Sequence, residues 1–439
     1  MQLIRSAALI VLCCAAAAHA APGDQPAPAP LPPVDPAALV TDGTTDDVLA
    51  PGTIAADPPV TATPANYPTG TVRVGAYADS DATTVYRLLG SLAQSFGQWT
   101  LLGNLGVDAV TSASVDVRSS PALSKVDVVT SASGRSSTSG GQMTDTRYQL
   151  TGGAGWAGSG GRAVNVNAVM ARERDYTSVS GGVNGSSDVL DRSTTLLGGI
   201  TVTDNWISSV LDSSVHHKLL STGWSAGVAR VLTRNDAVRL RYDGKLSEGD
   251  SSSPYRSVRF GDWTANLGSR QITFMNTIGS ADGLPERVPE SRLSHAVVLE
   301  AVHWLATGIA LHPEVRGAHD SWGIDSISGS LDLRIARPTW QASAGYRYYA
   351  QRGATFFENK YTQAPAMYSY YTSDKELGDQ RGHLVRLDAS RVLLDADDPN
   401  DGHLSLTFQL DLAGYQYPGF SLLPSRDSAF VSIGLSWQR

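Results

Sequence analysis

Apolar and polar residues alternate one by one along most of the chain from Thr71 onward. Between 429 and 437 every odd position is apolar, and most even positions are Ser or Gly. Between 404 and 412 the even positions are Leu or Phe and the odd positions are polar, over a run of about ten residues. A repeat of two predicts β-strands. The same pattern predicts strands at about 98–110, 162–174, 192–203, 220–232, 238–245, 296–305, 321–335 and 340–348.

The connections between these strands alternate in length. Short turns are predicted at 233–236, 336–338 and 397–401, and long segments occupy roughly 247–292 and 351–382. Short periplasmic turns and long external loops are typical of outer-membrane barrels, whose strands are long enough to cross a bilayer when tilted. We therefore predict an all-β fold, a transmembrane antiparallel β-barrel of the outer-membrane type with about 14 strands, within a range of about 12 to 16.

Two details of the strands agree with a barrel. Trp340 and Trp437 fall at strand ends, where aromatic residues form interfacial girdles. In the strand 238–245 the apolar residues alternate with Arg239, Arg241, Asp243 and Lys245, which predicts charges on the inner face. A soluble β-sandwich or propeller also alternates and remains the alternative.

The N-terminal region is predicted to be separate from the strands. Residues 1–20 resemble a secretory signal peptide, with Arg5, an apolar stretch and an Ala-His-Ala cleavage site at 18–20. Residues 21–69 are a Pro/Ala-rich linker without apolar periodicity, predicted to be disordered. The barrel would occupy 70–439. Both cysteines lie in the signal segment, so no disulfide is predicted, and a net charge of −8 does not favour nucleic-acid binding.

An eight-residue phrase occurs twice and provides the main chemical lead. Residues 107–114 read Val-Asp-Ala-Val-Thr-Ser-Ala-Ser, and 126–133 differ from them at one position. The phrase resembles the sequon on which periplasmic FMN transferases attach a flavin through a phosphoester bond. That resemblance implies Ser114 and Ser133 as acceptors, Asp108 and Asp127 as recognition residues, and Thr111 and Thr130 as further motif residues. The alternative is one extended hairpin that turns near residues 120–122, with Thr and Ser facing the lumen.

Several further phrases, read in order, resemble an uncharacterised outer-membrane family catalogued as domain of unknown function 3570. They are 107–114, Glu-Arg-Asp-Tyr at 173–176, Arg-Ser-Thr-Thr at 192–195, Pro-Tyr-Arg-Ser-Val at 254–258, Leu-Pro-Glu at 284–286 with Arg292, Asp-Ser-Trp-Gly at 320–323, and Tyr-Arg-Tyr-Tyr-Ala-Gln at 346–351 leading to Thr-Phe-Phe at 355–357. The resemblance implies a bacterial outer-membrane barrel without established activity, often encoded near a flavin transferase and a thioredoxin-like protein.

Other candidate residues have structural interpretations. The charges at 173–175 indicate a buried lumenal network, and Arg239, Arg241 and Lys245 either bind an anion or face acidic residues across the lumen. Tyrosines at 361–371 either stack on a sugar or flavin or pack an external loop. His312 and Glu314 share a strand face, but we predict no metal site because the helical His and Glu ligand spacings are missing. No nucleophile elbow, P-loop or dinucleotide fingerprint is present, so no enzyme class is predicted.

The leading functional hypothesis is an envelope redox component in the bacterial outer membrane, carrying or scaffolding covalent FMN. A passive porin or solute channel without cofactor and a structural or adhesion barrel are the alternatives. The expected partners are outer-membrane lipid, the barrel-assembly machinery, a periplasmic FMN transferase and a thioredoxin-like protein.

Overall fold

The computed structural model describes residues 68–112, 126–128, 133–135, 143–209, 214–254, 256–261, 264–266, 271–273, 277–278, 284–395 and 402–438. The predicted signal segment (1–20) and nearly all of the predicted linker (21–69) lie outside these residues. Within the described ranges, no helix is long and apolar enough to cross a membrane. The helices described there are two single 3-10 turns, Pro365–Met367 and Lys375–Leu377.

Sixteen antiparallel strands form one closed barrel. They are β1 (Thr69–Asp79), β2 (Thr83–Phe96), β3 (Trp99–Ser112), β6 (Met143–Gly158), β7 (Arg162–Arg172), β8 (Tyr176–Val189), β9 (Thr194–Ser208), β10 (His216–Val231), β11 (Asp236–Gly249), β18 (Ser291–Ala306), β19 (Ile309–Asp320), β20 (Asp325–Arg337), β21 (Trp340–Arg352), β22 (Gln380–Asp395), β23 (His403–Gln416) and β24 (Ser425–Gln438). Each pairs with the next, and β1 pairs with β24 to close the sheet. The predicted barrel is confirmed, at the upper limit of the predicted strand range.

Short two-stranded pairs lie in the connections. They are β4 (Val126–Val128) with β5 (Ser133–Arg135), β12 (Ser257–Val258) with β17 (Leu284–Pro285), β13 (Phe260–Gly261) with β16 (Thr277–Ile278), and β14 (Thr264–Asn266) with β15 (Gln271–Thr273). All of them fall between β3 and β6 or between β11 and β18, so the barrel wall itself is uninterrupted.

The barrel has a short-turn end and a long-loop end. The connections 97–98, 159–161, 190–193, 232–235, 307–308, 338–339 and 396–402 lie at the short-turn end, together with Thr69 and Gln438. The connections 80–82, 113–142, 173–175, 209–215, 250–290, 321–324, 353–379 and 417–424 lie at the long-loop end. The predicted segregation of short turns from long segments is therefore confirmed.

The two faces of the sheet differ as the alternation predicts. Val72 and Val74 are 45% and 56% exposed on the outside, whereas Arg73 between them is half-buried on the inside. The outer band continues around the barrel through Leu88, Leu92, Leu101, Leu105, Leu150, Ile200, Leu299, Leu331 and Ile433, all exposed. A band of this extent is unusual for a surface in water and matches the lipid-facing band of outer-membrane barrels.

Aromatic side chains lie on the outer face near both ends of the barrel. Phe96, Trp99, Trp340 and Trp437 are exposed at the short-turn end, which confirms the predicted positions of the last two. Tyr86, Tyr148 and Trp206 are exposed toward the long-loop end. Two aromatic girdles that flank an apolar band are typical of membrane barrels, because their rings prefer the interfaces.

Candidate functional site

The inner face of the barrel carries charges on most of its strands, and most densely along one stretch that we call the charged wall. It consists of the inward positions of β11 and β18–β23. Its cations are Arg239, Arg241, Lys245, Arg292, Arg316, Arg334, Arg347 and Arg386, and its anions are Asp243, Glu300, Glu314, Asp320, Asp332, Asp388 and Asp411. The charges predicted on the inner face of 238–245 are confirmed.

A buried ion pair joins the first two strands of the charged wall. Arg239 of β11 lies directly opposite Glu300 of β18, and the guanidinium makes two hydrogen bonds to the carboxylate. The two residues are 4% and 8% exposed. On the same strand, Arg241 donates to Asp243 at 3.1 Å. Both arginines therefore have acidic partners, as the second interpretation predicts, but these partners lie on the same or the neighbouring strand and not across the lumen.

Arg386 of β22 is the centre of a second group of charges. Its guanidinium makes two hydrogen bonds to Asp411 of β23, at 2.9 and 3.1 Å. It also interacts electrostatically with Asp388 and Asp332. Gly345 lies between Asp332 and Arg386 in the strand register, and a Cβ atom there would collide with the Asp332 carboxylate. Arg386 therefore compensates several carboxylates in this part of the lumen, and Arg73 also interacts electrostatically with Asp388.

A second stretch of the inner face, which we call the neutral wall, consists of the inward positions in the middle of β7–β10. Its side chains are small and uncharged: Asn165, Asn167, Ser178, Ser180, Asn184, Thr201, Thr203, Asn205, Ser221 and Ser225, with glycine at 182, 199 and 223. They bond to one another along the wall, as Ser180 does with Thr203 (2.9 Å) and Asn165 with Asn184 (3.1 Å). Because these side chains are short, they leave the space beside them to the lumen.

The first copy of the duplicated phrase belongs to the barrel wall. Asp108 lies on the inner face of β3 and accepts two hydrogen bonds from the guanidinium of Arg87, at 2.6 and 2.8 Å. Thr111 is half-buried and shares the outward face with Ala109. Ser114 lies outside the described residues. The predicted recognition carboxylate is therefore buried in an ion pair of the folded barrel.

The second copy lies in the connection between β3 and β6. Asp127 belongs to β4 and Ser133 to β5, which pair with each other, and Thr130 lies outside the described residues. The end of β3 pairs instead with β2 and β6. One extended hairpin formed by both copies is therefore wrong, because both edges of β3 are already occupied. The lumen-facing position expected for Thr111 in that hairpin is also wrong.

Charges near the long-loop end of β6 form the predicted buried network in part, because Glu173 and Asp175 are buried whereas Arg174 is exposed. Glu173 and Asp175, in the turn after β7, are both buried. The Glu173 carboxylate lies 3.6 Å from the guanidinium of Arg147 on β6. Arg147 is opposite Asp108 in the strand register, so this network continues the Arg87–Asp108 pair around the lumen.

Loops fold over the charged wall at the long-loop end and form what we call the cap: the described parts of 250–290, with 353–379 and 417–424. Tyr361 is 2% exposed and packs against Phe260 and Tyr368, with ring centroids 5.3 and 5.0 Å apart. The Tyr361 hydroxyl donates to Phe356 O at 2.7 Å and accepts from Thr372 N at 2.8 Å. Of the two interpretations of these tyrosines, packing of an external loop is confirmed for Tyr361.

A buried acid ties two cap loops together. The Glu286 carboxylate accepts hydrogen bonds from the Thr372 hydroxyl at 2.7 Å and from the Arg256 guanidinium at 3.2 Å. Burial raises the pKa of Glu286, the nearby Asp374 raises it further, and Arg256 opposes both effects. Arg256 also pairs with Asp374 at 2.9 Å. In the sequence, residues 284–286 stand out only as a family phrase, because the partners of Glu286 lie in a loop far along the chain.

The 3-10 turn Lys375–Leu377 attaches the cap to the barrel mouth. The amide of Gln351, on β21, donates to the carbonyls of Glu376 and Gly378, both at 2.9 Å. The Glu376 carboxylate accepts from the Tyr417 hydroxyl at 3.4 Å and lies 3.6 Å from the Arg426 guanidinium. The inward-facing Arg426 is thus held beneath the cap. No pattern in the sequence predicts this contact.

In the part of the chain that the structure describes, no group of three or more His, Cys, Asp or Glu side chains could hold a metal ion. His312 and Glu314 share the inward face of β19, as the alternation predicts.

Solved structures with a similar fold are outer-membrane proteins of low sequence identity. A bacterial polysaccharide outer membrane secretin is 8% identical, with 84% of this chain and 98% of that chain covered and a TM-score of 0.43. The TodX deltaS2S3 mutant monoaromatic hydrocarbon channel is 11% identical, with 86% and 91% covered and a TM-score of 0.39. A mutant ferric enterobactin receptor (PfeA) from Pseudomonas aeruginosa is 9% identical, with 85% and 81% covered and a TM-score of 0.37. No curated protein matches the chain.

The sequence itself matches one family model. The model described as "Protein of unknown function (DUF3570)" matches residues 48–225 and 212–393, which together span most of the chain. This confirms the family resemblance drawn from the sequence phrases. The chain, an outer-membrane-type β-barrel with a two-sided lumen and a loop cap, belongs to the DUF3570 family.

Proposed function

We propose that this protein is an outer-membrane channel for small polar solutes. The closure of sixteen strands around a polar lumen carries the proposal. Barrels of about 16 to 18 strands leave an aqueous channel unless a plug fills them, whereas barrels of about eight strands are filled by their own side chains. The long loops are assigned to the outside and the short turns to the periplasm, as in other outer-membrane barrels.

The two walls define the solutes that fit. Arg239 and Arg386 are already paired with carboxylates, so the charged wall offers both signs of charge and no strong excess of either. The neutral wall offers hydroxyl and amide groups. A lumen of this kind favours uncharged or zwitterionic solutes that form hydrogen bonds, and it disfavours large apolar molecules.

The cap limits what enters from outside. It is attached to the mouth through Gln351 and through Glu376 beside Arg426. A solute therefore passes between the cap and the neutral wall, where the described loops cover less of the barrel mouth. The cap would act as a size filter above a wider lumen.

Liposome swelling tests the proposal. Proteoliposomes that contain the purified barrel are diluted into isotonic solutions of glycine, of small sugars and of a large oligosaccharide. Swelling with the small solutes and exclusion of the oligosaccharide are expected. Absence of swelling with every solute, from liposomes in which correct insertion has been verified by protease protection, would reject the channel.

Covalent FMN is a second candidate function, favoured by the position of the second phrase copy outside the barrel wall. Attachment joins the FMN phosphorus of FAD to a serine oxygen, breaks the pyrophosphate bond and releases AMP, and the hydroxyl proton goes to a base. Ser114 and Ser133 are the proposed acceptors. Both serines come after the long-loop end of β3 in the chain, and the long loops are assigned to the outside. The proposed transferase, in contrast, acts in the periplasm. Modification would then precede barrel insertion, before Asp108 is buried against Arg87.

Intact mass of protein from native membranes tests this second function. One FMN mass for each acceptor, with flavin fluorescence in a denaturing gel, is expected. The double variant Ser114→Ala/Ser133→Ala should lose both signals, and single variants identify the acceptor. An unmodified mass for the native protein, co-expressed with its flavin transferase, would reject flavinylation and leave the channel proposal standing.

A further inference from the structure

We propose that the outer face of β19–β22, at the long-loop end, binds the phosphate groups of an outer-leaflet lipid. Arg352 and Arg381 would hold the phosphate, with His319 beside them. The inference rests on the proposed outer-membrane placement with the long loops outside. It does not depend on whether the lumen conducts solutes.

Arg352 lies at the end of β21 and is shared with a small charged group. Asp325 of β20 is paired in the strand register with Arg352 on one side and with His319 of β19 on the other. The carboxylate of Asp325 bonds to the Arg352 guanidinium and, at 2.7 Å, to His319 Nδ1. The Arg352 side chain is nevertheless 71% exposed. Because a guanidinium has five N–H donors, Arg352 retains donors for a second anion.

Arg381 supplies a second cation on the neighbouring strand. It is exposed on the outward face of β22, opposite Ala350, two residues before Arg352. No carboxylate among the described residues bonds to it. A shallow groove on the surface includes Asp325, Arg352 and Arg381 among its lining residues. Two guanidiniums beside one carboxylate give this groove a net positive charge, and planar guanidiniums are well suited to bind phosphate oxygens.

Aromatic and histidine side chains below the groove mark the height of the membrane interface. Tyr346 Oη and His383 Nδ1 are hydrogen-bonded at 2.8 Å on the outward face, and the Tyr348 ring lies 5.2 Å from His383. Tyr and Trp residues concentrate at the level of lipid headgroups. The two arginines lie closer to the long-loop end than these rings, so a headgroup phosphate would be at their level.

The cations are not distributed evenly around the barrel. On β9 and β10 the outward face near the long-loop ends carries Asp204 and Lys218, whose opposite charges compensate each other, and on β7 it carries a single exposed arginine, Arg172. Asp204 is flanked in the register by Val179 and Leu220, both exposed and apolar. Compared with these strands, the β19–β22 sector places two arginines in one groove, which suits an anionic lipid.

Lipid binding by the purified full-length barrel tests the inference. Native mass spectrometry in detergent would follow titration with bis-phosphorylated lipid A and, separately, with the same lipid after removal of its phosphates. The double variant Arg352→Gln/Arg381→Gln is compared with Arg230→Gln/Arg391→Gln. The control removes two exposed outward arginines near the short-turn end, with the same change in charge.

The wild-type barrel should prefer the phosphorylated lipid, and the Arg352/Arg381 variant should bind it about tenfold more weakly, since each interfacial cation contributes measurably to anionic lipid binding. The control variant should bind as the wild type does. Equal binding by both variants, or no preference of the wild type for the phosphorylated lipid, would overturn the site. Liposome swelling by the Arg352/Arg381 variant should match the wild type, so failure here is distinguishable from failure of the channel proposal.

Discussion

The charged wall and the neutral wall are built from the same strand geometry but are stabilised in different ways. On the charged wall, long side chains reach neighbouring strands and pair, as Arg239 does with Glu300. On the neutral wall, short side chains bond locally, as Ser180 does with Thr203. The cap is also attached on the charged side, through Gln351 and Glu376.

This difference separates two roles within one lumen. Buried ion pairs contribute little net stability when both partners are present, but loss of one partner leaves an uncompensated charge. The charged wall is therefore sensitive to single substitutions. It is well suited to hold the cap in place and to set the electrostatic potential of the lumen. The neutral wall tolerates change, and it determines the free width of the lumen.

The largest difference between the walls is expected in stability. Arg239→Met leaves Glu300 buried without its partner and should lower the free energy of unfolding by about 3–5 kcal/mol. Asn165→Ala, on the neutral wall, removes one hydrogen bond to Asn184 and should cost only about 1 kcal/mol. Urea unfolding from lipid vesicles, followed by Trp fluorescence, measures both values.

The double variant Arg239→Met/Glu300→Leu separates pairing from packing. It should recover most of the stability lost in Arg239→Met, because no isolated charge remains. Equal stability of Arg239→Met and Asn165→Ala would mean that the two walls do not differ in the proposed way.

The next difference is in permeation. Asn167→Trp adds bulk on the inner face of β7 and should slow swelling with the largest permeant solute by roughly twofold or more, since pore width limits such solutes. Met170→Trp adds the same side chain on the lipid face of the same strand and should leave swelling unchanged. Identical swelling rates for the two variants would show that the neutral wall does not line the path.

A smaller effect is expected in the cap. The pKa of Glu286 is raised in the folded protein, so the folded cap binds the proton more tightly than the unfolded loop does. The contribution of Glu286 to cap stability is therefore fully present below its unfolded pKa and is lost as pH rises through the folded pKa. Protection factors for hydrogen exchange at 353–379, corrected for the intrinsic pH dependence of amide exchange, should be higher at mildly acidic pH than at neutral pH. Glu286→Gln should abolish this pH dependence, and an unchanged dependence would contradict the assignment.

The alternation of apolar and polar residues predicts the barrel because every residue of the wall faces either the lipid or the lumen. The polarity of each residue reflects the side that it faces. The alternation is weakest for β8, where glycine and serine occupy both faces and the contrast between the faces disappears. Weak strands of this kind explain why the expected count of about 14 is below the observed sixteen.

The candidate site was predictable only where register follows from a short turn. The Gly97-Gln98 turn pairs Phe96 with Trp99 and thereby brings Arg87 opposite Asp108, so that ion pair could have been found from the sequence. The contacts of Glu286 with Thr372 and of Glu376 with Arg426 could not, because long loops fix no register.

The central claim is that the lumen is an open path whose charged wall neutralises itself. Ion permeation through single barrels in a planar bilayer tests this claim most directly. Under a salt gradient, the wild-type barrel should conduct with a reversal potential near zero. Arg386→Gln leaves Asp411, Asp388 and Asp332 without their shared cation and should shift the reversal potential toward cation selectivity. A wild-type barrel that inserts without conducting, or an Arg386→Gln variant with the wild-type reversal potential, would contradict the account.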